Sequence, residues 1–217
     1  MKGEALMKRN GFTLVELLVV IGIIAVLAAL SFAIAPSAIR HAQCAGCEAR
    51  MRGLAIAFIQ YAADNDGALP GRTLTTDKWP VLLLPYVSDP KNYVDPGDPV
   101  ASAVASNQLA SNGGNASSFF FNGFNDLGAF NNPNITVTLA SIGNASNLAL
   151  LGQKVHGSTQ YYMDFEEGNQ NDVLNKTAYF NGANYAFADG SVRYISLANY
   201  TDQIWLMNQN YAIPTAQ

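Results

Sequence analysis

Apolar residues follow two different patterns in the first third of the chain. The 24 residues from Phe12 to Ala35 are apolar on every side, and Glu16 is the one charge among them. At about 1.5 Å per residue such a segment spans a hydrocarbon core of about 30 Å, so it is predicted to be a membrane helix. Beyond it, Cys44, Cys47, Met51, Leu54, Phe58 and Tyr61 recur at alternating spacings of three and four. That spacing is one stripe on an amphipathic helix. Glu48 and Arg52 stand four apart in the favourable orientation for a surface pair, off the stripe. Pro36, between the two patterns, predicts a kink. Asp64-Asn65-Asp66-Gly67, with Pro70 behind, reads as the helix end. One helix of about 50 residues is the expectation.

Shorter apolar runs with strand character follow. They are Ser118–Phe121, Ile135–Leu139, Leu148–Leu151, Asn184–Ala188 and Ser191–Ile195. Asp189-Gly190 separates the last two and predicts a hairpin, with a type I′ turn that needs positive φ at both positions. A long helix whose amphipathic half packs on an antiparallel sheet is an α+β fold. The stretch from Pro96 to Pro133 is rich in Gly, Asn, Ser and Ala, and reads as long surface loops around the Phe-rich strand. Phe119, Phe120, Phe121, Phe124 and Phe130 either face a core or form an exposed patch. The chain shows no internal repeat.

Charge orients this arrangement. Lys2, Lys8 and Arg9 precede the apolar segment, which places that end in the cytoplasm and the remainder outside. From Ser37 onward there are 9 Lys and Arg against 14 Asp and Glu, a balance of −5. An acidic exterior disfavours nucleic acid as a partner. A secretory signal peptide has an apolar region of only about 7–15 residues, with its cleavage site after that region. Here the run is longer. The expected divisions are a leader at 1–11, a membrane helix at 12–36, and an amphipathic helix with a β-rich globular part at 37–217.

Candidate chemistry is sparse. Cys44 and Cys47 invite a redox or metal reading, but no βαβ setting, following histidine or second pair accompanies them. They serve the helix face as small apolar residues, or form a local or intermolecular disulfide in an oxidising compartment. Asp164, Glu166, Glu167 and Asp172 form the densest acidic cluster, either a solvated loop or a calcium site. Their spacing matches no defined calcium loop, and no cofactor is expected. Asp64-Asn65-Asp66-Gly67 lacks the later Glu of an EF-hand. The histidines are His41 and His156, and no hydrolase, zinc-protease or P-loop motif is present. A non-enzymatic role is expected.

Lys8, Arg9, Gly11, Phe12 and Glu16, with the apolar run after them, resemble the processing site of type IV prepilins and type II secretion pseudopilins. The resemblance implies that a prepilin peptidase cuts between Gly11 and Phe12 and methylates the freed amine of Phe12. It implies a subunit held in the inner membrane by a single pass, N-terminus cytoplasmic. An assembly ATPase and a membrane platform would then lift it, with other pilins, into an extracellular or periplasmic filament. Glu16 lies one turn from the new amine. A buried carboxylate there can pair with the amine of a neighbouring copy in the self-assembled helical filament. Residues 64–70, 79–86 and 182–190 further resemble the H-X9-DG prepilin-type group, closing on a hairpin at Asp189 and Gly190. Tyr179 stands where that pattern has histidine. A structural pilus subunit, a secretion pseudopilin and a pilin-anchored ligand-binding module are the three functions this pattern admits.

Overall fold

The computed structural model describes residues 12–72, 78–99, 117–124, 136–163 and 170–207. Helix α1 runs from Leu14 to Asp64, 51 residues, with Pro36 inside it. The chain divides into two compact units, one ending at His41 and the other beginning at Ala42.

In the first unit the apolar side chains from Leu14 to Ile39 are exposed all round the helix. Every backbone group of a helix interior is bonded within the helix, which is what a hydrocarbon medium requires. Ser31 conforms: its hydroxyl donates to the Leu27 carbonyl at 2.8 Å. The absent N–H of Pro36 removes one bond from this ladder.

The second unit opens with the amphipathic part of α1. Cys47, Met51, Leu54 and Phe58 are fully buried, and Cys44 and Tyr61 pack against the same cluster. The helix ends as its Asn-Asp-Gly signal implies, with one shift. Asp66 takes the left-handed position at φ 53°, followed by Gly67 at 79°. The Gly67 N–H then bonds the Ala62 carbonyl at 2.8 Å, and the Asn65 side chain bonds that of Tyr61 at 2.8 Å. Carbonyls that a helix end orphans are thereby used.

Five strands form one sheet in the order β3-β1-β2-β4-β5. They are β1 (Phe119–Asn122), β2 (Ala149–Gln153), β3 (Tyr162–Met163), β4 (Gly182–Phe187) and β5 (Val192–Ser196). The sheet is mixed rather than antiparallel throughout, because β3 pairs with β1 in parallel. Strands β1 to β4 are buried on both faces, so their apolar residues run without alternation. Phe119 and Phe121 belong to the cluster that contains the α1 stripe. Phe121 stacks on Phe58 at 4.6 Å between ring centres, and Phe58 on Trp79 at 5.6 Å. Phe120 points the other way, to Trp205 at 5.2 Å, in a second cluster with Tyr185, Phe187 and Ile204. The Phe-rich strand is therefore core, not patch; Phe130 lies outside the described residues.

Two expectations are corrected. Of the strand expected at 135–139, Ile135 lies outside the described residues and the rest forms no ladder. Thr138 makes a single bridge with Ala68, then caps a 3-10 turn at Leu139–Ser141, its hydroxyl accepting from the Ser141 N–H at 3.2 Å. A local side-chain bond has replaced strand pairing. The β4–β5 turn is not type I′. Among its residues Gly190 alone has positive φ, at 84°. Gly190 N–H bonds the Phe187 carbonyl at 3.0 Å, and Phe187 N–H bonds that of Ser191 at 2.8 Å. These bonds make a three-residue loop, Ala188-Asp189-Gly190, whose left-handed Gly forms the bulge. Partial burial pushes the Asp189 pKa up, but its carboxylate accepts from the Ser191 N–H at 2.9 Å, which stabilises the charge and holds the pKa below the usual range.

A buried polar seam ties these layers together. Asp95 Oδ1 accepts from the Gly97 N–H at 2.9 Å and from the Tyr179 hydroxyl, and Oδ2 accepts from the Gln153 amide. Gln153 in turn accepts from the Asn184 N–H at 2.8 Å, and Asn184 donates to the Cys44 carbonyl at 3.1 Å. Ser118 accepts from the Asp95 N–H at 2.9 Å and donates to Asp98 at 3.0 Å. Asp95 and Asp98 are both buried, and Pro96 and Gly97 between them are half-buried, so the start of the stretch expected as surface loop is partly interior. Lys154, across the ladder from Ser118, is buried, and its ammonium has no hydrogen-bond partner among the described residues. Burial lowers its pKa to about 8, while the Asp98 charge pulls the other way.

Gly190→Ala is expected to destabilise the detergent-solubilised chain by about 1–2 kcal/mol, read from its urea midpoint. The left-handed backbone and a Cβ only 3.1 Å from Ile59 both oppose the substitution. Lys154→Met is expected to stabilise the chain near neutral pH. In the native chain the folded state binds the Lys154 proton less tightly than the unfolded state does. The penalty is thus full below about pH 8 and fades as pH rises towards the unfolded lysine's value of about 10.4. The gap between variant and native protein should narrow by about 2 kcal/mol from about pH 7 to about pH 9.5. Cys47, whose thiol burial holds well above its ordinary pKa, erodes both proteins equally over that range and cancels in the comparison. A gap that does not change with pH would place the Lys154 amine in water.

Candidate functional site

The candidate site is the entrance to α1. Gly11 lies outside the described residues. Phe12 is exposed and not helical, and Thr13 is the last residue before the helix. The Thr13 carbonyl accepts the first helical bond, from the Leu17 N–H at 3.3 Å, which makes Thr13 the N-cap.

Three bonds link Thr13 to Glu16. The Glu16 N–H donates to the Thr13 hydroxyl oxygen at 3.2 Å. In return, Glu16 Oε2 accepts from the Thr13 N–H at 2.8 Å and from the Thr13 hydroxyl at 2.8 Å. This reciprocal pattern is a capping box, with Glu16 at the third helical position. It satisfies donors that a helix start leaves orphaned, and it holds a carboxylate where the helix dipole favours negative charge. Phe12 and Leu17 stand at the two positions of a hydrophobic staple. Sequence reasoning marked Glu16 and overlooked Thr13, although the signal was there: a Thr three residues before a Glu at the head of an apolar run.

The carboxylate therefore has a ligand set inside its own chain, and all three capping bonds go to Thr13 or come from it. Oε1 takes none of the return bonds. The chemistry on offer is the acceptance of a further donor at the head of the helix, one residue from where a Phe12 amine would appear.

The other candidates resolve differently. Cys44 and Cys47 are free thiols, the first half-buried and the second fully buried. Burial raises both pKa values, with the Asn184 bond opposing it at Cys44 and the Asp95 charge adding to it at Cys47. Three apart on a helix, their Cβ atoms stand about 5–6 Å apart, wider than the roughly 3.5–4.5 Å of a disulfide. They act as small apolar members of the helix face. Asp164, Glu166 and Glu167 lie outside the described residues, and Asp172 is exposed. No group of three or more His, Cys, Asp or Glu able to hold a metal occurs among the described residues. Tyr179 is buried and donates its hydroxyl to Asp95; burial, then that carboxylate, raises its pKa far above the usual range. Asp189 and Gly190 occupy the β4–β5 turn, away from any chemistry.

No curated protein and no solved structure matches the chain. Residues 6–32 match the family model of the prokaryotic N-terminal methylation motif. The match spans the leader end, Gly11, Phe12, the capping box and most of the apolar segment. It stops short of residue 64, so the likeness to the H-X9-DG group remains a resemblance. The motif stands at the head of a helix long and apolar enough to cross a membrane, a combination that supports a type IV pilin-like, prepilin-type reading of the chain.

Proposed function

We propose that this chain is a structural subunit of a type IV pilus-like filament, not a catalyst. A prepilin peptidase cuts after Gly11 and methylates Phe12. The subunit leaves the inner membrane through the work of an assembly ATPase and its platform. Phe12 to Ala35 then forms the apolar centre of the filament, and the second unit faces outward.

One observation carries this reading. The methylation motif coincides with a helix whose apolar side chains are exposed among the described residues. Each Å² removed from water is worth roughly 25 cal/mol, and lipid or other copies can supply the cover for this segment. Copies related by a head-to-tail contact that does not close build a fibre, so one subunit type suffices. Glu16 sets the register: in the filament its free oxygen accepts from the Phe12 amine of a neighbour, which lowers the cost of burying the charge.

The intact mass of the protein from native membranes tests maturation. The expected species begins at Phe12 and carries a methyl group; a chain still beginning at Met1 removes the reading. Glu16→Ala is expected to be cut nearly as well as the native chain. Its yield of sheared surface fibres should fall at least about tenfold, the cost of losing a buried charge pair. Normal fibres from that variant would rule out the pairing of Glu16 with a neighbouring amine.

A further inference from the structure

The capping box decides where α1 begins, and the bond to be cut lies just upstream of that point. An N-cap residue is held in non-helical dihedrals, with its own N–H turned to the side chain three residues on. Thr13 is held in this way, and Phe12 precedes it outside the helix. Asn10 and Gly11 oppose a helix only weakly, Gly by about 1 kcal/mol, and beyond them the leader is no barrier. Glu4-Ala5-Leu6-Met7-Lys8-Arg9 are all strong helix formers. Without a stop at Thr13, a turn added upstream would satisfy the orphaned first-turn N–H groups and carry the helix across Gly11. A peptidase needs its target peptide in open chain, because helical N–H and C=O groups are already bonded and proteolysis follows local opening.

Resting on the reading of this chain as a prepilin, we propose that Thr13 is a positioning residue for maturation. Its capping box halts α1 short of the Gly11–Phe12 bond and so keeps Phe12 in the open chain that the peptidase takes. In the cut itself water is the co-reactant. The Gly11 carbonyl carbon gains the hydroxyl, the C–N bond breaks, and the Phe12 nitrogen takes the proton. Thr13 touches neither atom and acts through the start of the helix. Glu16→Ala removes only the return bonds of the box and leaves the Thr13 hydroxyl on the amide of position 16, so the stop survives that change.

The test is a series at position 13 in the full chain, with cleavage followed by pulse-chase in cells that carry the prepilin peptidase. Capping propensity and side-chain shape order the series oppositely. Thr13→Ser and Thr13→Asn keep a capping oxygen and are expected to be cut within about twofold of the native rate. Thr13→Val keeps the shape without the cap, and Thr13→Ala keeps neither; both are expected to be about fivefold slower, the typical effect of a lost N-cap. Amide exchange in detergent gives a readout free of the enzyme: at Phe12 it should slow in the Thr13→Val chain as helix grows over it. A Thr13→Val chain cut at the native rate overturns the proposal, and so does a series in which Val is fast and Asn slow. A native chain that is never cut overturns the prepilin reading along with it. A native chain that is cut normally, with a flat series, overturns the role of Thr13 alone.

Discussion

Helix α1 crosses two environments on one backbone, and the rest of the molecule answers to that. Up to Ile39 its side chains are exposed and apolar on all sides, which suits lipid or a ring of identical helices. From Cys44 onward one face only is apolar, and the second unit buries it. A helix is the one open-ended element that meets both demands, because its backbone bonds are internal wherever it lies. Its start is the exposed weakness. There, orphaned N–H groups and the Glu16 charge meet at the edge of an apolar medium, and the Thr13–Glu16 box satisfies both at once.

The second unit follows from the stripe it must cover. Phe58 stacks on both Trp79 and Phe121, so aromatic rings as well as leucines dock the helix on the sheet. The sheet is covered on its other face as well, by Ile204 and Trp205 near the end of the described chain. Asn122 fastens that cover, donating to the Ala149 carbonyl at 3.0 Å and to that of Trp205 at 2.9 Å. Between the layers runs the seam centred on Asp95. A buried carboxylate is costly alone and tolerable when several donors converge on it. Asp95 has donors from its own loop, from β2 and from Tyr179, so it specifies how those segments meet. The tyrosine at 179, a departure from the H-X9-DG pattern, thereby has a defined structural task.

Much of this was legible beforehand, and the failures have two causes. The membrane segment, the stripe from Cys44 to Tyr61, four of the strands and the β4–β5 hairpin all rest on period and on residues within a few positions of each other. The parallel placement of β3, the burial of Asp98 and the buried ammonium of Lys154 depend on partners far along the chain. Two local readings also failed. Thr138 and Asp189 carry side chains that bond nearby backbone, and that competition changed a strand into a capped turn and a two-residue turn into a three-residue one.

By itself the sequence determined that a prepilin-type start feeds a helix long enough to cross a bilayer, and that this helix turns one-sided where a globular unit begins. Those properties are written in hydrophobic period and in a short motif, and both act over a few residues. Only the tertiary structure decided which charges are interior and which face of each strand meets α1. Hydrogen bonds are directional and each donor has several acceptors within reach, so the choice among them is made when the chain has folded.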